Sequence, residues 1–323
     1  MSSVSRRRFL TLGGSGLAAV GVSAYSLTQA AKTVSGAGAN WLPTPTPLPT
    51  QPPTPTPPPR PIEPRGRETV ALLPGSPYQV DGVAIHSGKP GPRLMVLGGV
   101  HGNEPGGWFA AEAIAEWELT TGSLLVLPRV NWRAAAIVER TLPEIGDINR
   151  AYPGNASGTP AQRIAHAIVE AGREFQPELL FDLHESWVFF RERGANSGTA
   201  FIGQTVAIGG GANDGTVDRV ANVVRMVNDQ ISPREEFYLR GAATPRPGIQ
   251  VVPPNNSSGA PRPSATPGNG VTFNGTSSLS LGQWIKGCVP ILVEMGQRDQ
   301  AERRRSQLHQ MLVRTTLEQS GMM

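Results

Sequence analysis

The amino-acid sequence predicts an α/β domain, a mixed and mainly parallel sheet sandwiched by helices. Three observations predict it. Four short runs, Leu94 to Val100, Leu124 to Val130, Leu179 to Leu183 and Val289 to Glu294, are nearly continuous in apolar residues, as strands buried on both faces are. Helical patterns alternate with them, at Trp108 to Trp117, Ala161 to Phe175, Val217 to Ile231 and about Gln297 to Glu318. The Gly- and Pro-rich remainder gathers in separate stretches, so that about 250 of the 323 residues are left for one domain. No internal repeat is apparent, and the composition excludes collagen, coiled coil and polytopic membrane protein.

In chain order, residues 1–39 come first. Ser5-Arg6-Arg7-Arg8-Phe9-Leu10 precedes a Gly/Ala-rich, mildly apolar run from Thr11 to Leu27 and the small residues Ala37-Gly38-Ala39, a pattern resembling a twin-arginine export signal. This implies the twin-arginine translocase as a partner during export. The protein is then expected in the periplasm, on the cell wall or outside the cell. An uncleaved N-terminal anchor is the alternative, since the 19 residues from Phe9 to Leu27 approach the length of a membrane span.

Residues 40–67 read as a disordered Pro/Thr-rich linker. Twelve of the 22 residues from Pro43 to Pro64 are proline, which removes backbone donors and favours a polyproline-II spacer. The folded domain is expected over 68–323. Within it, 241–280 is rich in Pro, Gly, Ser and Asn, and reads as an insertion near the rim of a site.

The net charge of +4 comes from the leader and linker. Residues 1–67 carry seven Lys/Arg against Glu63, a net of +6, which leaves −2 for 68–323. A nucleic-acid partner therefore has no compositional support. The single Cys288 precedes an apolar run and reads as a small buried hydrophobe.

The chemistry gathers at strand ends. The first apolar run leads into His101-Gly102-Asn103-Glu104, and a His and a Glu three apart after a strand can converge on one metal ion. The third run ends Asp182-Leu183-His184-Glu185, with Asp182 on the same face as His184. His101, Glu104 and His184 together form a His₂Glu set, one of the arrangements in which Zn²⁺ keeps a coordination position open for water. An ordinary pair of strand-end histidines is the competing reading. In the fourth run Glu294 follows four apolar residues, a costly place for a carboxylate unless a cation or partner is near; beside a zinc-bound water it is the obvious general base. His86, His166 and His309 have no partner at metal-ligand spacing.

Read together, Gly98-Gly-Val-His101-Gly-Asn-Glu104, Asn131-Trp-Arg-Ala, Arg140, Asp147-Ile-Asn149-Arg150-Ala-Tyr-Pro-Gly154, Asp182-Leu-His184-Glu and Val293-Glu294 resemble, in their order, the zinc carboxypeptidase clan. They look most like its succinylglutamate desuccinylase/aspartoacylase branch: the 83 residues from His101 to His184 are nearer the short spacing of that branch's histidine ligands than the longer one of digestive carboxypeptidases. The resemblance implies the zinc carboxypeptidase (phosphorylase/hydrolase-like) fold and one Zn²⁺ per chain on His101, Glu104 and His184. It further implies Glu294 as the base, Arg140 at the scissile carbonyl, and Asn149 with Arg150 on a substrate carboxylate. A guanidinium suits these roles, as a planar donor for a carboxylate and a fixed cation beside an oxyanion. Arg173 and Arg193 read as surface charges. For the role that digestive carboxypeptidases give a tyrosine, Tyr238 is the nearest candidate and Tyr152 the next.

The function expected is an exported zinc amidohydrolase, deacylase or carboxypeptidase in type, cleaving an amide or ester bond next to a free carboxylate. Its partner is a small acylated amino acid or peptide, with murein peptide preferred for a protein outside the membrane. Membrane contact is expected only through the N-terminal signal, if uncleaved. Only 29 residues follow Glu294, too few for the β-rich domain that narrows the channel in aspartoacylase-type enzymes, so an open site is expected. The alternative is a catalytically silent zinc-containing module that binds carboxylate-ended wall peptides; the retained Glu294 weighs against it.

Overall fold

Residues 65–187, 203–209, 212–231, 249–251 and 276–323 are described by a computed structural model of the protein. The sequence-based readings of the export signal, most of the linker, Arg193, Tyr238 and most of the 241–280 stretch lie outside these residues.

The chain enters through an antiparallel hairpin, β1 (Arg65–Leu72) and β2 (Val80–Ser87), in register from Arg65 opposite Ser87 to Leu72 opposite Val80. β1 is mostly exposed, as befits an edge, and it takes in Arg65 to Arg67, which the sequence reading assigned to the linker. Backbone pairing to β2 is what orders them.

The four apolar runs form the centre of the sheet as β3 (Arg93–Gly98), β4 (Ser123–Leu127), β5 (Leu179–Ser186) and β8 (Val289–Gly296). Two short strands follow β5 in the chain, β6 (Thr205–Ile208) and β7 (Ile249–Val251). The order across the sheet is β1-β2-β4-β3-β5-β8-β6-β7. The strands β4, β3, β5 and β8 run parallel to one another, while β2 and β6 join antiparallel on either side. The sheet is therefore mixed with a parallel centre, as the sequence predicts.

Helices cover both faces. On one face α1 (Pro105–Ile114), α4 (Asp214–Gln230) and α5 (Glu302–Gln319) pack Ala111, Ile114, Val220, Val224, Leu308 and Leu312 on Val96, Phe181 and Val293. On the other face α3 (Pro160–Phe175) packs Ile164, Ala165 and Ile168 over Met95, Leu97 and Leu180. A short α2 (Trp132–Ala136) follows β4.

The starts of α1, α4 and α5 differ from the sequence reading for local reasons. α1 starts at Pro105 rather than Trp108, because proline is preorganised for the first helical turn, and ends at Ile114 rather than Trp117. Asn213 caps α4 by accepting from the Thr216 N–H, so that helix starts before Val217. α5 starts at Glu302 rather than Gln297, because Gln297 to Gln300 form a turn whose side chains are used for buried hydrogen bonds. Among the described residues no helix is long and apolar enough to cross a membrane.

Cys288 is buried as expected, and burial pushes its thiol up to about 12. Arg173 is an exposed partner of Glu170. His309 is buried within α5.

Candidate metal centre

The carboxyl ends of β3, β5 and β8 are neighbours in the sheet, and each delivers part of one site. After β3 the chain turns through Gly99, whose φ of 65° lies in the left-handed region open to glycine, and reaches His101 and Glu104. β5 supplies Asp182 and His184, two residues apart and on one face. β8 places Glu294 directly opposite His184 in register. His101, Glu104, His184 and Glu294 are all buried.

His101 Nδ1 lies 2.8 Å from Glu104 Oε1, His184 Nδ1 lies 2.7 Å from Glu104 Oε2, and the two Nδ1 atoms are 3.0 Å apart. On their far sides, His184 Nε2 is 2.7 Å from Asp182 Oδ2 and His101 Nε2 is 3.1 Å from Asp147 Oδ1. A carboxylate only accepts, so each Nε2 is a donor there; each Nδ1 faces Glu104 and either carries a second proton or, given a cation, turns its lone pair inward. Two imidazole lone pairs and a carboxylate then converge on one point. Without a cation such a group repels itself unless it takes up protons, and this is the donor set, with carboxylates behind the histidines, that suits a divalent metal such as zinc.

The electrostatics agree. Burial alone would raise Glu104, but His101 and His184 hold its carboxyl well below the usual range. Burial would likewise lower His184, yet Asp182 and Glu104 drive it well above its ordinary value. Buried polar atoms around the site also lack hydrogen-bond partners, among them Glu294 Oε2, Asp182 Oδ1 and Ser277 Oγ. Burial pushes the Glu294 carboxyl well above the usual range. The residues therefore fit a bound divalent metal ion.

The motif 147–150 is built around Asp147. Its Oδ1 accepts from the Asn149 N–H at 2.9 Å, capping a 3₁₀ turn over Ile148–Arg150, and the same atom faces His101. Burial would raise Asp147, but His101, Arg140 and Arg150 hold its carboxyl well below the usual range. Asn149 Oδ1 accepts from the Ser278 N–H at 2.8 Å, which leaves the amide nitrogen 3.4 Å from His184 Nε2. Arg140 Nη1 donates to Glu104 Oε1 at 3.2 Å and Nη2 to Asp147 Oδ2 at 3.5 Å. The Arg140 carbonyl accepts from the Gly102 N–H, tying its loop to the metal-type loop.

A small cavity at these groups is also lined by Arg150, Ser277 and Leu292. All seven residues singled out from the sequence, His101, Glu104, Arg140, Asn149, Arg150, His184 and Glu294, thus line one place. Of the tyrosine candidates, Tyr152 is buried, and burial with Asp182 and Asp147 nearby raises its hydroxyl well above the ordinary value. Sequence reasoning missed Asp147, which was visible only as part of a motif, and Ser277, from the end of the 241–280 stretch. Glu185 was missed too, although a charged residue beside His184 on a buried strand was a usable signal.

Residues 90–187 match the family model of the succinylglutamate desuccinylase/aspartoacylase catalytic domain, a segment that holds six of the seven residues and stops before Glu294. No curated protein matches the sequence. Similar solved structures include a succinylglutamate desuccinylase/aspartoacylase from Rhodobacter sphaeroides, with TM-score 0.52 and 17% identity over 81% of this chain and 67% of that one. The product-bound ectoine utilization protein EutE (DoeB) from Ruegeria pomeroyi is similar with TM-score 0.54 and 16% identity, over 81% and 70%. The tripeptide-bound cell shape determinant Csd4 from Helicobacter pylori is similar with TM-score 0.55 and 15% identity, over 80% and 56%. These likenesses establish the fold. In that fold, and in the segment bearing the two histidines, the chain is similar to the succinylglutamate desuccinylase/aspartoacylase catalytic domain of the zinc carboxypeptidase clan.

Proposed function

We propose that the protein is a zinc-dependent amidohydrolase that cleaves an amide, or an ester, next to a free carboxylate. The observation that carries this reading is the convergence of His101, Glu104 and His184 through their inward-facing Nδ1 atoms and carboxylate, with Glu294 opposite His184. Zinc held by these three residues would polarise the scissile carbonyl and make water acidic enough to ionise near neutral pH.

The chain's own residues supply the rest. Glu294, made more basic by burial, accepts the proton of the attacking water and returns it to the leaving amine. Arg140, partly exposed and already held against Glu104 and Asp147, places a guanidinium where negative charge develops on the carbonyl oxygen. Asn149 and Arg150 present an amide and a guanidinium to the substrate carboxylate. The similarity to a tripeptide-bound cell shape determinant favours a peptide substrate, and murein peptide fits a protein exported by the twin-arginine route and held outside the membrane on a Pro-rich tether.

The test is hydrolysis of murein peptides and of N-acyl amino acids by the zinc-loaded protein. Release of an amine is expected from one class, and Glu294→Gln is expected to lower kcat by about 10²–10⁴ while zinc stays bound. A Glu294→Gln variant as active as the wild type would remove Glu294 from the mechanism. Zinc binding with no turnover of either class would favour the silent binding module.

A further inference from the structure

His184 and Glu185 are adjacent on β5 and point to opposite faces of the sheet, one to the metal-type site and the other under the helices α1 and α5. Glu185 is buried, with a side chain that has no solvent exposure. Its carboxylate is fully used. Oε1 accepts from the Gly106 N–H at 2.8 Å and from Arg305 Nε at 2.7 Å, and Oε2 accepts from Gln297 Nε2 at 2.9 Å. The same Gln297 Nε2 donates to the Asn103 carbonyl at 2.9 Å. The Glu185 backbone N–H meanwhile donates to Glu104 Oε2 at 3.0 Å.

These bonds bracket Glu104. The residue before it is tied through its carbonyl, a residue just after it through its N–H, and its own carboxylate through the backbone of Glu185. Glu185 itself reaches the lining of the cavity, but its partners stand outside it: Arg305 comes from α5 and Gln297 from the turn before it. The approach is close enough to need glycine at 106, where a Cβ would sit 2.1 Å from Glu185 Oε1. The negative end of this clamp also lies at the N-terminus of α1, where the helix dipole favours it.

We propose that Glu185, with Gln297 and Arg305, is a positioning group that fixes Glu104 for metal binding, so that the affinity of the site is set partly from the opposite face of the sheet. This rests on the reading of His101, Glu104 and His184 as metal ligands. The charge on Glu185 neutralises the buried Arg305, so the same contact joins α5 to the loop that carries two of the three ligands.

The test measures zinc affinity by chelator competition and the visible spectrum of the Co²⁺-substituted full-length protein, for wild type, Glu185→Gln and Gln297→Ala. Gln297→Ala cuts the ties to Asn103 and to Glu185 Oε2 but leaves the buried Glu185–Arg305 pair intact, so it keeps the test decisive where Glu185→Gln does not fold. Both variants are expected to bind zinc at least about tenfold more weakly, with a shifted Co²⁺ spectrum, in keeping with the effect of groups that orient metal ligands. Thr159→Ala, which weakens α3 away from the site, is expected to lower Tm with wild-type zinc affinity. Wild-type affinity and spectrum in Gln297→Ala would overturn the proposal while leaving the metal site standing. A wild type that binds no zinc would overturn the metal reading beneath it.

Discussion

At the scale of single residues, identity and environment diverge most for the histidines. His101 and His184 are buried between carboxylates, whereas His309 is buried against His184 and Arg305, and burial with those two positive neighbours lowers it to about 3 in spite of Glu104. His309 is therefore neutral in the folded protein at ordinary pH. An unfolded histidine takes up its proton near pH 6.5, so stability is lost as pH falls from about 6.5 towards about 3, at up to about 1.4 kcal/mol per pH unit. Denaturant titrations across this range should show a shallower loss for His309→Leu than for wild type. Parallel pH curves for the two proteins would assign the acid sensitivity elsewhere.

At the scale of elements, the sequence was most legible where burial was most uniform. β3, β5 and β8 have buried side chains on both faces, so their apolar runs announced them and their ends located His101, His184 and Glu294. The β1–β2 hairpin was less legible, because exposed residues such as Glu68 and Thr69 mark an edge and blur into a linker. β6 is four residues long and lacked length as a signal. Of the clamp only Glu185 left a signal, a charged residue on a buried strand; its partner Arg305 is 120 residues away, and the packing of α5 on the sheet brings it near. α3 carries a cap that the sequence reading, starting the helix at Ala161, passed over: Thr159 accepts from the Gln162 N–H while the Gln162 side chain accepts from the Thr159 N–H. Replacing Thr159 by Ala should cost about 1 kcal/mol in a denaturant melt, and an unchanged midpoint would show that packing on Ile164 and Ile168 carries the helix alone.

At the scale of the whole molecule, three sequence-distant segments meet at the carboxyl edge of the central parallel strands, and their meeting point gathers more buried acceptors than protein donors can satisfy. A metal that binds only the folded state stabilises it by mass action, about 2.7 kcal/mol at a free concentration one hundred times Kd. The central claim is tested most directly by elemental analysis of the purified protein beside His101→Ala. The account predicts one zinc per chain, removed by chelator with a fall in Tm and absent from His101→Ala. A folded wild type that holds no metal after zinc has been supplied would contradict it.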